Sequence, residues 1–265
     1  MTGVEARPDQ ILIKAEPGTL IWTEPLPDGG RAVVKMYRRR PLLDPVRRWF
    51  SPCRVEREHD LLAHLHRNGV PCPEPLWWSR GISHGHGRHE LLATREIPGT
   101  APLAEQLRAT AATTAWDLTP LFQIARRMHE AGVSHGAYYP TNFLVSMPMR
   151  DPPVLHLIDL AHGCRFSRSI VGAPPAEFDV LDMLRAIERR YPLTNCERWL
   201  AGYGLDTAGI DRLMRRFERH RIEKPWRHLH RAETDTRAAW DRLTRPAASR
   251  ASAAAPQIPR HTRPR

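Results

Sequence analysis

Two charged residues stand within apolar, strand-forming segments, and no other feature constrains the fold of this chain as strongly. Lys35 lies in Ala-Val-Val-Lys-Met-Tyr, and Asp159 lies in Leu-His-Leu-Ile-Asp-Leu. Removing a charge from water costs free energy unless an opposite charge or a ligand compensates it. Each of these two residues therefore needs a partner or a chemical role inside the folded protein.

The first part of the chain has the pattern of a small antiparallel sheet with one helix. Short runs rich in β-branched and aromatic residues are separated by turn residues, and leucines at helical spacing end at Asn68-Gly69. The predicted strands cover residues 11–14, 19–23, 31–37, 76–78 and 90–96, and the predicted helix covers residues 55–67.

The rest of the chain is predicted to be mostly helical around one polar loop. Apolar residues between Leu118 and Met128 form a stripe at helical spacing that ends at Gly132, and glycine is the usual residue just past a helix end. The predicted elements are a helix at 115–131, a loop at 135–142, strands at 143–146 and 154–160, and helices from 176–190 to about residue 244.

Length and pattern favour one α+β domain with two lobes. The 265 residues exceed the usual size of one domain and fall short of two. We expect residues 1–98 to form a small β-rich N-lobe and residues 99–245 to form a mostly helical C-lobe. Residues 246–265 are rich in Ala, Ser, Pro and Arg, and this composition predicts a disordered basic tail.

Composition excludes several classes of protein. The four cysteines are far apart and form no CxxC pair, so neither a zinc site nor a disulfide framework is predicted. Because no segment has the roughly 18 consecutive apolar residues of a membrane span, and the N-terminus lacks a secretion signal, we expect a cytoplasmic protein. The net charge of +11 favours an anionic partner, which is a nucleotide, a nucleic acid or an acidic membrane surface.

The order of polar residues along the chain is that of the phosphotransfer apparatus of protein kinases. A strand lysine, Lys35, precedes a helix glutamate, Glu58; a loop with His135 and Asn142 follows, and then Asp159. In this order the lysine neutralises nucleotide phosphates and the glutamate holds the lysine, while asparagine and aspartate supply the oxygen ligands that Mg²⁺ prefers. The sequence therefore predicts a bilobal, protein-kinase-like fold with a site for ATP and Mg²⁺.

Three stretches of the chain resemble the lipopolysaccharide kinase family, whose members phosphorylate heptose or Kdo sugars of the inner core. They are residues 61–75, which end in GVPCPEP, residues 128–145, which are MHEAGVSHGAYYPTNFLV, and residues 157–160, which are LIDL. The resemblance covers roughly residues 30–190. It implies a kinase that uses ATP and Mg²⁺, takes a phosphorylated glycolipid or sugar as acceptor, and touches the inner membrane surface peripherally.

The resemblance also implies roles for individual residues. The lysine and its glutamate correspond to the phosphate clamp, the backbone after the last strand of the sheet is expected to meet adenine, and the loop histidine corresponds to a structural residue that opens the catalytic loop. The implied nucleotide-binding residues are Lys35, Glu58, Glu96 and Ile97, the implied metal ligands are Asn142 and Asp159, and the implied catalytic residues are Asp159 and His135.

Two positions depart from the family pattern. Ala137 occupies the position that carries the catalytic aspartate in kinases, and the N-terminal hairpin has Pro17-Gly18-Thr19 where kinases have a glycine-rich phosphate loop. General base catalysis contributes about 10² to 10⁴ in rate, whereas positioning and electrostatics carry most of phosphoryl transfer. A slow kinase and a pseudokinase that acts as a scaffold or regulator therefore both stay open.

Two other functions are consistent with parts of the sequence. Another small-molecule kinase of the same fold, such as an aminoglycoside phosphotransferase, stays open as well. A nucleic-acid-binding protein ranks last because no nucleic-acid-binding motif accompanies the basic charge.

Three further features of the sequence each admit a functional and a structural interpretation. His84, His86 and His89 form either a metal site or, as we favour, a solvated hairpin tip. Asp179 either anchors the catalytic loop or sits favourably near a helix N-terminus. Residues 210–217 form either a membrane-surface helix or, as we favour, a packed helix with an arginine face. Arginines around Trp49 and Phe50 add a basic patch that suits a phosphorylated glycolipid.

Overall fold

A computed structural model of the chain describes residues 10–16, 18–38, 53–84, 87–109, 117–148, 153–189 and 193–222. Two units are distinguished by their internal contacts, residues 1–219 and residues 220–265. All of the described elements belong to the first unit, apart from the last residues of the final helix. The predicted tail at 246–265, and any helix beyond residue 222, lie outside the described residues.

The first part of the chain forms a five-stranded antiparallel sheet of β1 (Ile11–Glu16), β2 (Thr19–Pro25), β3 (Arg31–Arg38), β4 (Pro75–His84) and β5 (Gly87–Arg95). The strand order is β1-β2-β3-β5-β4, so β3 with Lys35 is the central strand. Between β2 and β3 the Asp28 carboxylate accepts a hydrogen bond from the Gly30 amide at 3.0 Å, which is the side-chain-closed turn that an Asp-Gly sequence favours.

Helix α1 (Arg54–Arg67) packs on this sheet against β4 and β5. A capping box starts it: the Cys53 sulfur accepts from the Glu56 amide at 3.4 Å, and the Glu56 carboxylate accepts from the Cys53 amide at 3.3 Å. Its leucines face inward, and Gly69 follows its C-cap in a left-handed conformation with φ 70°. This is the helix end that Asn68-Gly69 predicts.

The second part of the chain is mostly helical, as the sequence predicts. Its helices are α2 (Leu103–Ala109), α3 (Thr119–Glu130), α4 (Pro174–Glu188), α5 (Cys196–Tyr203) and α6 (Thr207–Ile222), with single 3₁₀ turns at Pro140–Asn142 and Leu193–Asn195. Its strands are β6 (Thr100–Pro102), β7 (Val133–Ser134), β8 (Phe143–Ser146), β9 (Leu155–Leu157) and β10 (Cys164–Arg165).

Two small antiparallel sheets hold the polar loop in place. β6, β8 and β9 form one sheet, with β8 in its middle, and β7 pairs with β10 in the other. The loop at residues 135–142 therefore begins at the end of β7 and ends at the start of β8. Both of its ends are fixed by strand pairing, which restricts where its polar side chains can lie.

One hydrophobic cluster runs from the sheet-covering helix into the helical part. Leu61 and Leu65 of α1 share it with Phe122 and Met128 of α3, and all four side chains are at most 2% exposed. A smaller cluster around Val34 covers the other face of the sheet. The division into lobes at residue 98 stays a prediction. The main hydrophobic core contains residues from both sides of this position.

The fold class is confirmed, and a few elements differ from the prediction. The strand expected at 154–160 is only β9, Leu155–Leu157, so Asp159 lies beyond the strand instead of on it. Helix α2 and the short strands β6, β7 and β10 were not predicted, and α3 begins at Thr119, four residues later than expected. Within the described residues, no helix is long and apolar enough to cross a membrane.

Helix α6 is a packed helix, as favoured over a membrane-surface helix. Leu213 and Phe217 are 6% and 1% exposed and belong to the main core. On the opposite side, Arg216 forms an ion pair with Glu177 of α4. The four cysteines are free.

Candidate active site

A cleft of about 980 Å³ lies between the sheet and the helical part of the first unit. One wall is the face of β3 and α1, and the other is formed by the end of the polar loop and the segment after β9. Every sequence-predicted site residue except His135 lines it. Those residues are Lys35, Glu58, Glu96, Ile97, Asn142 and Asp159.

Lys35 is the centre of a charge network in this cleft. Its Nζ lies 2.7 Å from Asp159 Oδ1 and 3.4 Å from Glu58 Oε1. The Tyr37 hydroxyl donates a hydrogen bond to the other Glu58 oxygen at 3.0 Å. The two charges that stood out in the sequence are thus partners, across 124 positions of sequence.

The surroundings shift the pKa values of Glu58 and Asp159 in opposite directions. Glu58 is only 2% exposed, and burial raises its pKa, although Lys35 opposes the rise. Burial also raises the pKa of Asp159, but the charge and the hydrogen bond of Lys35 outweigh it and hold that pKa below its ordinary value. Asp159 is therefore ionised near neutral pH and available to bind a cation.

Asp159 takes a backbone conformation that few residues adopt. Its φ is 61°, which makes it the one described non-glycine residue in the left-handed region and costs about 1–2 kcal/mol. The preceding residue, Ile158, is held on both sides: its amide donates to the Asn142 carbonyl at 2.9 Å, and its carbonyl lies 3.1 Å from His135 Nε2. These bonds fix the direction in which Asp159 points.

His135 is a positioning residue in the interior, not a residue of the cleft. It is 0% exposed, and burial lowers its pKa, so it is neutral at pH 7. Because a carbonyl oxygen only accepts hydrogen bonds, Nε2 carries the proton that is donated to Ile158. This geometry agrees with the structural role that the family resemblance implies and gives no direct contact with the cleft.

Asp179 anchors the polar loop, which decides between its two interpretations. Its carboxylate accepts from the His135 amide at 2.7 Å and from the Gly136 amide at 2.9 Å. His129 Nε2 lies 3.2 Å from the same carboxylate, and His129 Nδ1 lies 2.8 Å from the Tyr203 hydroxyl. Since Asp179 is fully buried, these bonds compensate a charge that would otherwise be costly.

The polar loop brings Asn142 to the cleft beside Asp159 and leaves position 137 without a carboxylate. Asn142 Nδ2 donates to the Ala137 carbonyl at 2.7 Å, so the amide oxygen of Asn142 is turned toward other partners. An amide oxygen and a carboxylate are the hard donors that Mg²⁺ prefers. The two residues therefore fit a Mg²⁺ site that is completed by phosphate and water oxygens.

A metal site could also be formed by protein side chains alone, without phosphate or water. Among the described residues, no group of three or more His, Cys, Asp and Glu side chains is arranged to hold a metal ion. The histidines at 84 and 86, the arginines at 38–48 and Pro17 fall where the structure describes no side chains. The third histidine of the predicted cluster, His89, is described and is only 9% exposed. The predictions about the whole histidine cluster, the basic patch and the phosphate-covering turn depend on residues outside this description.

Two cleft residues, Tyr37 and Arg54, were missed by the sequence analysis. The Arg54 guanidinium lies over the Tyr37 ring, 4.0 Å from its centroid. Spacing could have found both: Tyr37 is two residues after Lys35 and so faces the same side of β3, and Arg54 is one helical turn before Glu58.

Comparison with known proteins gives one family and one informative structure. The model of the lipopolysaccharide kinase (Kdo/WaaP) family matches residues 21–203. A solved structure described as WaaP in complex with acyl carrier protein superposes with a TM-score of 0.56 at 19% identity, covering 82% of this chain and 88% of that one. No curated protein matches. Because 1043 chains of solved structures match, the fold alone does not select a substrate.

Proposed function

The chain belongs to the lipopolysaccharide kinase (Kdo/WaaP) family, and from this premise we propose that it is an ATP- and Mg²⁺-dependent phosphotransferase acting on a sugar hydroxyl of a lipopolysaccharide core precursor. The observation that carries the proposal is that carboxylate oxygens of Glu58 and Asp159 both lie within 3.4 Å of Lys35 Nζ in a large cleft. Ionic groups that converge in this way on a cleft are typical of sites that bind charged ligands.

In the proposed site each polar group has a task. Lys35, held by Glu58, pairs with the α- and β-phosphates of ATP, and Asn142 and Asp159 hold Mg²⁺. When bound, Mg²⁺ supplies positive charge to the phosphates. Lys35 lies 2.7 Å from Asp159, so binding of phosphates at Lys35 and of metal at Asp159 would replace part of this ion pair.

The segment after β5 suits the edge of an adenine ring. The Glu96 amide donates to the Arg31 carbonyl, and the Ile97 carbonyl accepts from the Thr100 hydroxyl. Among the described residues, the Glu96 carbonyl and the Ile97 amide have no hydrogen-bond partner. The two groups belong to one trans peptide unit and point in opposite directions, so one of them is available to an adenine edge: the carbonyl would accept from the amino group, or the amide would donate to a ring nitrogen.

The acceptor side of the reaction follows from the family and the charge of the chain. A net charge of +11 favours a phosphorylated glycolipid, and we place the protein in the cytoplasm with peripheral contact to the inner membrane surface. With Ala137 in the loop, no carboxylate at that position removes the proton of the acceptor hydroxyl. We therefore expect the turnover rate to be lower by a factor of about 10² to 10⁴ than with a general base at this position.

Ala137 also supports a second candidate function, a pseudokinase scaffold that binds nucleotide without transferring phosphate. The two candidates differ in one observable, the transfer of the γ-phosphate to a core sugar. Labelled phosphate found on the precursor supports the kinase. Tight nucleotide binding with no transfer over hours supports the scaffold.

The first test is ATP binding by calorimetry with and without Mg²⁺. We expect Asp159→Asn to lose the Mg²⁺-dependent part of the affinity, because the amide cannot replace the charge that binds the metal. The matched control is Asp60→Asn on α1, an exposed carboxylate outside the cleft lining, which should bind as the wild type does. Undiminished Mg²⁺-dependent binding by Asp159→Asn would remove Asp159 from the metal site.

A further inference from the structure

Arg54 presents an arginine to the cleft with its guanidinium stacked on an aromatic ring. It begins α1, one turn before Glu58, and lies over the Tyr37 ring at 4.0 Å from the centroid. The hydroxyl of the same tyrosine donates to Glu58 at 3.0 Å, so the ring itself cannot turn freely. Stacking on an aromatic face holds a guanidinium in one orientation while its edge N–H groups stay available to other partners.

The guanidinium has no carboxylate partner in the part of the chain that the structure describes. Glu58 and Asp159 both pair with Lys35, and among the described residues the close contact of Arg54 is with the Tyr37 ring. Its charge nevertheless acts inside the cleft: burial raises the pKa of Glu58 and Tyr37, and Arg54 opposes both rises. Arg54 therefore lines the cleft as a cation that acts on the carboxylates at a distance and has no ion-pair contact among the described residues.

The charges of the cleft leave a need for such a cation. The one positive charge of Lys35 faces two carboxylates, Glu58 and Asp159, so this group alone has no positive charge in excess for an anion. ATP with one Mg²⁺ still carries a net negative charge, and the hairpin has one glycine, Gly18, where a phosphate loop would place several backbone N–H groups. A guanidinium offers two parallel N–H groups that match two oxygens of a phosphate.

We propose that Arg54 is a phosphate-binding residue of this cleft. It binds a phosphate group at the end of the cleft away from Glu96 and Ile97, either the terminal phosphates of the nucleotide or a phosphate carried by the acceptor. The inference rests on the proposed function for the identity of the ligand but not for its chemistry, which is a phosphate in both cases.

The experiment compares Arg54→Ala with Arg67→Ala in the full-length chain. Arg67 lies on the same helix, outside the cleft lining, and its Nε donates to the Ala63 carbonyl, so this control removes the same charge elsewhere. The probes are ATP, AMP and tripolyphosphate by calorimetry, and mannose 6-phosphate by NMR titration in the presence of ATP. Thermal unfolding of both variants verifies that they are folded.

If Arg54 binds the nucleotide, Arg54→Ala weakens ATP and tripolyphosphate about tenfold, as expected for the loss of a charge-assisted bond, and leaves AMP unchanged. If it binds the acceptor, the mannose 6-phosphate shift is lost and ATP affinity stays. Arg67→Ala changes none of these. The inference is overturned if all four probes bind Arg54→Ala within twofold of the wild type.

Failure of the proposed function looks different. A wild-type chain that binds tripolyphosphate through Arg54 but does not bind ATP keeps Arg54 as a phosphate-binding residue and refutes the nucleotide site. A wild-type chain that binds none of the four probes refutes both.

Discussion

The free-energy cost of burying the Glu58 carboxylate depends on one neighbouring cation, Lys35. The side chain is 2% exposed and depends on Lys35 and Tyr37 for its two polar contacts. Burial makes its folded-state pKa higher than in the unfolded chain. The stabilising contribution of protonated Glu58 is therefore complete below the unfolded pKa and declines as the pH rises through the folded pKa.

This linkage predicts a pH-dependent effect of Lys35→Met. Without this cation, ionised Glu58 keeps only the Tyr37 hydrogen bond and the weaker influence of the Arg54 charge, so we expect a loss of about 2–3 kcal/mol in the free energy of unfolding at pH 8. At pH 5 the loss should be smaller, because Glu58 can stay protonated in the folded variant. Urea unfolding at both pH values measures it.

The control is the double variant Lys35→Met with Glu58→Gln, which has no acid to titrate at this position. The loss should depend less on pH in the double variant than in the single variant, because both lose Lys35 beside Asp159 and only the single variant keeps the Glu58 carboxyl group. Equal losses for the single variant at the two pH values would contradict the assigned cost of the buried carboxylate. Asp159 also loses the Lys35 charge that holds its pKa down, and because it loses it in both variants, its contribution cancels when the two are compared.

Individual residues of the site were predictable to different degrees. Lys35 and Asp159 were visible because a charge in an apolar segment is conspicuous, and the structure places them 2.7 Å apart. The stacking of Arg54 on Tyr37 was not visible, since an arginine at the start of a helix is ordinary in sequence. The left-handed backbone of Asp159 was also hidden, because it depends on hydrogen bonds from residues far along the chain.

Among the structural elements, the polar loop depends on a glycine that nothing larger can replace. Gly136 has φ 71°, and a Cβ at this position would lie 2.7 Å from the His162 carbonyl oxygen. Gly172 has nearly the same dihedral, φ 75°, but a Cβ there would meet open space. The two glycines therefore separate the cost of the backbone conformation from the cost of the clash.

We predict that Gly136→Ala is more destabilising than Gly172→Ala. Each should lose about 1–2 kcal/mol for a left-handed alanine, and Gly136→Ala should lose about 1–3 kcal/mol more because the His162 backbone must shift. Urea unfolding of the two variants gives the difference. Equal destabilisation would mean that the loop has room to move at residue 136.

Elements with strong end signals were predicted well, and short elements were not. Helices α1 and α3 end where Asn68-Gly69 and Gly132 predict. Helix α2, with seven residues, has no such signal, and a helix that short is stable only through its packing. The two-residue strands β7 and β10 exist only because they pair with each other, and a pairing between distant segments cannot be read from local sequence.

For the whole molecule, the sequence predicted an α+β fold in which two lobes meet at the active site. The fold class was predicted from a series of strands followed by helical periodicity. The kinase-like arrangement was predicted from the order of the polar residues along the chain. The sequence did not show that α1 belongs to the same hydrophobic cluster as α3. Such a core depends on which faces meet in three dimensions, and hydrophobic periodicity gives only the face, not its partner.

That continuous core predicts one cooperative unfolding transition for the described fold. Leu92 of β5, Leu61 of α1 and Met128 of α3 are each at most 2% exposed in one cluster, so exposing one exposes the others. In hydrogen exchange at increasing urea, the most protected amides of β5 and α3 should open with the same free energy. As a second measurement, residues 1–98 alone should lack a stable fold, because the removed helices cover the inner face of α1. Two separate transitions, or a folded 1–98 fragment, would show instead that the two lobes are independent domains.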